Sequence, residues 1–311
     1  MNKETIQSGI YGLTIGDALG VPVEFKTRQE LRKNPITTMT GYGTWSQPKG
    51  TWSDDTSMTL ATLSHITKEN GKINYENLMK EFVKWAVNGE YTQNIGVEPF
   101  DFGGTTIQAI INYINKGDVE NCGLKHEHNN GNGSLMRILP LAFIDCDYKT
   151  IENVSALTHA HDRSKIACSL YVTIAKEIIK GGEETFCDYV SNASDKIQKH
   201  YRNNQELHYF QRIFDSNYDN GISSGTYVVD SLETAIYSIK YGEDYQSSVL
   251  GAINLGGDTD TNGAICGGLA GLYYGFQDIP SEWINTIYGR ELIDNIITDF
   301  TKVMVWVKRK L

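Results

Sequence analysis

The run TNGAICGGLAGLYYGFQ, Thr261 to Gln277, has no charged residue and repeats glycine at 263, 267, 271 and 275. A four-residue period brings these glycines to one face of a helix. A face without side chains lets another backbone approach closely. The same spacing pairs helices inside membranes. This stretch, however, falls short of the roughly 20 apolar residues that a spanning helix needs, and it contains Thr261, Asn262 and Gln277. The pattern predicts a buried helix of a soluble protein. Directly before it, GGDTDTNGA (256–264) leads Asp258 and Asp260 into the apolar run. Carboxylates entering an interior need a partner.

The rest of the chain also reads as helical. Segments near 4–19, 56–69, 75–88, 105–116, 150–159, 163–180, 226–241, 244–253, 261–276 and 290–309 carry helical spacing or strong helix formers. Many stop at glycine: NGK at 70–72, NKG at 115–117, KGG at 180–182, YGE at 241–243. Alternating strand patterns are scarce, and six prolines suit long helices. The most polar stretch, 190–222, reads as an insertion that is helical in part. No linker, repeat or low-complexity segment divides the 311 residues. The expectation is an all-α fold: one compact, orthogonal multi-helix domain over 1–311 with a central cleft.

Composition narrows the function. The net charge is −10 and no basic block stands out, which argues against a general nucleic-acid or anionic-membrane binder. An anionic small substrate would need a local device such as a metal or exposed backbone amides. The N-terminus MNKETIQSGIYGL lacks the plan of a signal peptide. The five cysteines are scattered, odd in number and never spaced as CxxC, which is neither a disulfide framework nor a zinc site. A cytoplasmic protein with reduced thiols is expected.

A second acidic cluster answers the first. In GTWSDDTSM (50–58), Ser53, Asp54 and Asp55 precede a helical pattern through Met58, Ala61, Thr62 and His65. Either cluster alone reads as a helix N-terminus, where Ser or Asp caps and acids suit the dipole. Together they carry more. Each has two carboxylates and a hydroxyl residue beside an acid, and neither contains Lys or Arg. Brought into one pocket, four carboxylates repel and protonate unless a cation sits among them. An all-oxygen set suits Mg²⁺, Mn²⁺ or Ca²⁺ and not zinc. Adjacent Asp54 and Asp55 point about 100° apart on a helix, so each can serve a different ion of a two-metal site.

At this point the sequence resembles the ADP-ribosylglycohydrolase family, through seven motifs in family order across nearly the whole chain. They are GLTIGDALGVPVEF (12–25), WSDDTSM (52–58), DFGGTT (101–106), GNGSLMRILPLAF (131–143), LTHAHDRSKIACSLYV (157–172), SGTYVVDSLETAIYS (224–238) and INLGGDTDTNGAICGGLAGLYYG (253–275). Ser53 stands where the family often has Thr, and Asp162 where it often has Pro. The resemblance implies a compact all-α fold with a binuclear Mg²⁺ site at the bottom of a cleft. It implies Ser53, Asp54, Asp55, Asp258, Asp260 and Thr261 as the ligands of two Mg²⁺ ions, with Mn²⁺ as an alternative.

The remaining motifs carry two readings each. GNGS, Gly131, Asn132, Gly133 and Ser134, is a glycine-rich turn that starts a helix, or a set of backbone amides at a helix N-terminus that binds a phosphate. Arg137 is read as a structural salt-bridge former or, second, as a substrate contact. His159 and His161 form an HxH pair too small for a metal site, and the resemblance puts one of them beside the nucleotide. Glu24 is a surface glutamate or, by resemblance, an acid reaching toward the metals and the scissile bond. Asp17 is read as structural. Asp101 caps the helix starting at 104 or 105, or, by resemblance, meets a guanidinium leaving group. Tyr227 and Phe143 read as core or, second, as platforms for an adenine.

The resulting expectation is a magnesium-dependent hydrolase of the bond between ADP-ribose and an acceptor, with Glu24, Asp55 and Asp101 as catalytic residues. DFGGTT leans toward arginine on a protein. Serine, nucleic acid carrying the modification and small ADP-ribosyl compounds stay open as acceptors. The other readings are an ADP-ribose-binding or structural relative without turnover, and a magnesium-dependent phosphohydrolase on another helical scaffold.

Overall fold

The computed structural model describes residues 2–93, 98–218 and 221–310. Their regular structure is helical: α1 (Lys3–Gly20), α2 (Arg28–Lys33), α3 (Asp54–Lys68), α4 (Tyr75–Asn88), α5 (Gly104–Lys116), α6 (Tyr148–Ala156), α7 (Asp162–Lys180), α8 (Phe186–His200), α9 (Gln211–Phe214), α10 (Val228–Tyr241), α11 (Tyr245–Ile253), α12 (Thr259–Tyr274), α13 (Ser281–Thr286) and α14 (Arg290–Lys310). Among the described residues no strand forms, and extended pairing is limited to three isolated bridges. The all-α expectation holds. All ten helical segments read from the sequence are present, with ends shifted by up to three residues.

The shifts have local causes. Segment 150–159 stops at Ala156 because the chain turns extended: Leu124 N–H donates to Thr158 O, and Ala160 N–H donates back to Leu124 O. At 131–143 no α-helix forms. The GNGS stretch makes turns and then a 3₁₀ helix over Leu139–Phe143 with Pro140 at its start. Asn132 N–H is committed to Thr226 O at 3.0 Å, so this amide is not free for a ligand. Stretch 190–222 is no insertion at its start. α8 opens with a Thr185–Asp188 capping box, the reciprocal pairing that fixes a helix start. It then buries Tyr189, Val190, Ala193 and Ile197 in the core.

α1 and α12 run antiparallel in backbone contact. A Cβ on Gly12 would stand 2.3 Å from Gly267 O, one on Gly16 would stand 1.9 Å from Gly263 O, and one on Gly271 would stand 2.1 Å from Ser8 O. No side chain fits that gap. The glycine face of α12 thus finds its partner backbone, and both helices are buried nearly throughout. One continuous hydrophobic cluster surrounds the pair and reaches every helix, α2 through Leu31 alone. All five cysteines are free. Among the described residues no helix is long and apolar enough to cross a membrane.

Candidate active site

The seam between α1 and α12 ends in an acidic floor. Asp17 sits between Gly16 and Gly20 on α1, and Asp260 lies in the first turn of α12. A Cβ on Gly20 would stand 2.3 Å from Asp260 N, so the backbones touch where the carboxylates begin. α3 brings a second helix N-terminus to the same place. Its N-cap is Ser53, whose Oγ accepts from Asp55 N–H at 3.3 Å and donates to Asp55 Oδ2 at 2.9 Å. Asp17 holds this turn by accepting from Ser53 N–H at 2.9 Å, Thr56 N–H at 3.1 Å and Thr56 Oγ1–H at 2.6 Å.

The two sequence clusters therefore meet. Carboxylate oxygens of Asp17, Asp55 and Asp260 lie within 4.8 Å of one another, and so do those of Glu24, Asp258 and Asp260. Asp54, Asp55, Asp258, Asp260 and Glu24 are all buried. Thr261 Oγ1–H donates to Asp55 Oδ2 at 3.3 Å, and Asn132 Nδ2–H donates to Asp258 Oδ2 at 2.7 Å. Asp55 Oδ1 and Asp260 Oδ2 are buried with no hydrogen-bond partner. Among the described residues no Lys or Arg pairs with any of these groups.

Burial pushes Asp54, Asp55 and Asp260 well above the usual carboxylate range, with neighbouring acids adding to it. Burial also raises Asp17 to about 7, and burial plus the charge of Asp101 raises Glu24 to about 9. Protein groups alone leave this cluster short of positive charge. A hard divalent cation would supply it, and an all-oxygen donor set is what such an ion takes. The orphaned oxygens of Asp55 and Asp260 fit that role.

Above the floor lies a cleft of about 1030 Å³. Glu24, Asp54, Asp101, Gly131, Asn132, Gly133, His159, Asp258 and Thr261 line it. Ser53, Asp55 and Asp260 sit beneath, buried against the helix starts. His159 packs under the glycine turn: a Cβ on Gly133 would stand 2.9 Å from both His159 Cε1 and Thr106 Oγ1. Burial and the Arg137 charge lower His159 to about 3, so its ring is neutral, with one nitrogen that donates a hydrogen bond and one that accepts.

Two expected ligand residues turn away. Ser134 is fully buried, its hydroxyl bonded to Ser155 and Cys168. His161 is the N-cap of α7, its Nδ1 facing Asn130 Nδ2 and Arg163 N–H. Arg137 is fully buried and, among the described residues, forms no salt bridge: it is held by Gly133 O, Val154 O, Thr158 Oγ1 and the Phe82 ring. Asp101 does not cap α5, whose N-cap is Gly103 without a side-chain bond. Asp101 instead faces the cleft with φ +58.

Sequence reasoning gave no site role to several cleft-lining residues. Arg163 is buried, ion-paired to Glu206 at 2.7 Å and stacked on Tyr209 at 3.4 Å. Tyr227, read as core, is half-buried and lines the cleft beside Arg163. Trp45 donates its Nε1–H to the Glu24 carboxylate, and Phe25 stands in the cleft mouth. No local pattern marks these positions. The signal for Phe25 was its place next to Glu24.

Comparison with known proteins agrees with the arrangement. Residues 2–309 match the ADP-ribosylglycohydrolase family model. The chain is 29% identical over 297 residues to an ADP-ribosylarginine hydrolase of Serratia proteamaculans, covering 93% of this chain and 77% of that protein. It is 30% identical over 283 residues to the ADP-ribosyl-dinitrogen reductase glycohydrolase of Rhodospirillum rubrum, covering 89% and 87%. A solved structure described as an ADP-ribosylglycohydrolase-related protein complex superposes with a TM-score of 0.81 at 24% identity, over 97% of this chain and 98% of that one. The chain belongs to the ADP-ribosylglycohydrolase family and is a glycohydrolase enzyme.

Proposed function

We propose that this enzyme hydrolyses the bond between C1″ of ADP-ribose and an arginine side chain of a modified protein, with divalent cations held on its acidic floor. The observation that carries the reading is the floor itself: five buried carboxylates of the two clusters and Glu24, with two orphaned oxygens and no cationic partner among the described residues. Asp54, Asp55, Asp258 and Asp260, with Ser53 and Thr261, would hold two Mg²⁺ or Mn²⁺ ions. Bound there, the ions would supply Lewis-acid stabilisation of ribose oxygens and of an attacking water.

The chain's own groups do the rest. Asn132 orients Asp258 through its 2.7 Å bond. Asp17 fixes the α3 turn that carries Asp54 and Asp55. Gly131, Gly133 and neutral His159 give the nucleotide a surface without a competing charge. Glu24 and Asp101 face the acceptor side. Water oxygen bonds to C1″ as the C1″–N bond breaks, and a carboxylate there carries the water proton to the leaving guanidine. The transition state has oxocarbenium character, which nearby carboxylates stabilise. The activity of the Serratia relative, an ADP-ribosylarginine hydrolase, supports the linkage. We further propose a single domain acting in the cytoplasm, in keeping with the free cysteines.

Incubation with an arginine-ADP-ribosylated protein, with Mg²⁺ and with EDTA, tests this through released ADP-ribose. Magnesium-dependent release is expected. Equal release in EDTA rejects the metal role, and release only from serine-linked or nucleic-acid-linked substrates rejects the arginine linkage.

A further inference from the structure

The acceptor side of the cleft has an aromatic wall that the reaction above does not use. Phe25, Trp45 and Phe100 line it beside Glu24 and Asp101. The rings form a chain: centroids of Phe25 and Trp45 are 6.5 Å apart at 59°, and those of Trp45 and Phe100 are 5.6 Å apart at 47°. Phe25 is 62% exposed and holds φ at +63, a conformation that bulky residues rarely adopt.

The backbone pins it there. Phe25 N–H donates to Gly257 O at 2.7 Å, and Gly257 N–H donates to Lys26 O at 2.8 Å. Gly257 adjoins Asp258, so the ring is tied to the loop that carries a floor carboxylate. Trp45 is fixed by its bond to Glu24. Asp101, between Phe100 and Phe102, also sits in the left-handed region, with φ +58. Strained residues that present large apolar rings to solvent beside a reactive site point to a ligand. The neighbouring carboxylates exclude an anion. A planar cation gains both from ring faces and from carboxylates.

We infer that Phe25, Trp45 and Phe100 form the acceptor subsite, whose ring faces hold the guanidinium of the modified arginine while the carboxyl groups of Glu24 and Asp101 face it as hydrogen-bond acceptors. The inference rests on the arginine reading above and adds the residues that select that acceptor.

The test is steady-state hydrolysis of an arginine-ADP-ribosylated protein by Phe25→Leu, Phe100→Leu and the double variant in Mg²⁺, alongside Trp45→Phe. ADP-ribose affinity is measured on each. Agmatine serves as a free planar cation in competition. In the double variant kcat/KM falls roughly 5- to 30-fold, by loss of cation–π contacts. Inhibition by agmatine weakens by a similar factor, and ADP-ribose affinity stays within about 2-fold. Trp45→Phe keeps a ring face and retains agmatine inhibition. Unchanged kcat/KM in the double variant overturns the subsite, and so does a parallel loss of ADP-ribose affinity, since that marks the rings as structural. A different result separates the two readings. If the unaltered protein releases ADP-ribose only from another linkage, the arginine reading fails and the subsite falls with it.

Discussion

The glycine seam and the acidic floor share α1 and α12, with α3 joining them at the floor, and they obey opposite rules. Along the seam, Gly12, Gly16, Gly263, Gly267 and Gly271 bring backbones together with no room for a side chain between them. At its end, Asp17 and Asp260 lie in the same close contact as buried acids. The seam stabilises the protein by itself. The floor costs stability until something positive enters. Close approach of α1 and α12 sets the spacing of Asp17 and Asp260, and Asp17 in turn holds the α3 turn that carries Asp55, so the stable region fixes the geometry of the costly one.

Breaking the floor gives the largest expected effect. Asp55→Asn or Asp260→Asn lowers turnover at least about 10³-fold, the scale of lost transition-state electrostatics, as read by ADP-ribose release. The same change raises the melting temperature of the metal-free protein at pH 8, because it removes a buried acid that repels its neighbours. A stable but inactive variant supports the contrast. A variant that keeps near-normal turnover breaks it.

Breaking the seam acts in the other sense. Gly16→Ala puts a methyl where 1.9 Å separates its Cβ from Gly263 O. A loss of about 3 kcal/mol or more is expected, at the upper end of overpacking costs, in denaturant unfolding. Gly225→Ala is the control: no atom lies within 4 Å of its Cβ and φ is not positive, so a change within about 0.5 kcal/mol is expected. Equal effects at the two glycines would show that the seam is not tightly packed.

The pH dependence sharpens the comparison and is the smallest effect. Asp17 at about 7 and Glu24 at about 9, both raised chiefly by burial, keep protons in the folded chain that the unfolded chain has released. Stability conferred by such groups is present below the ordinary values of 3.8 and 4.5 and is lost as pH climbs through 7 and 9. In EDTA the melting temperature should therefore fall from pH 5 to 9. A divalent cation should restore more at pH 8 than at pH 5, since only ionised ligands bind it. A cation effect that is flat with pH would place the ions elsewhere.

The sequence made much of this legible, and the reasons differ by region. The four-residue glycine period on α12 announced a close backbone contact, but not that Gly12 and Gly16 of α1 would supply it. The two acidic clusters were readable because unpaired carboxylates before apolar helices need a common explanation. Ser134 and His161 misled because a motif fixes chain position and not side-chain direction. Ser134 turns into the core toward Ser155 and Cys168, and His161 is consumed as a helix cap. GNGS looked like a helix start, but Pro140 and the Asn132–Thr226 bond make turns and a 3₁₀ helix instead. The aromatic wall was invisible because Phe25, Trp45 and Phe100 are brought together only by long-range contacts, and no periodicity records them.

The most direct measurement is Mn²⁺ binding and ADP-ribose release on one preparation, for the unaltered protein and for Asp260→Asn. The expected result is saturable binding and cation-dependent release in the former, and loss of both in the folded variant. Full release after EDTA treatment, or unchanged Mn²⁺ affinity in Asp260→Asn, would contradict a catalytic cation on the acidic floor.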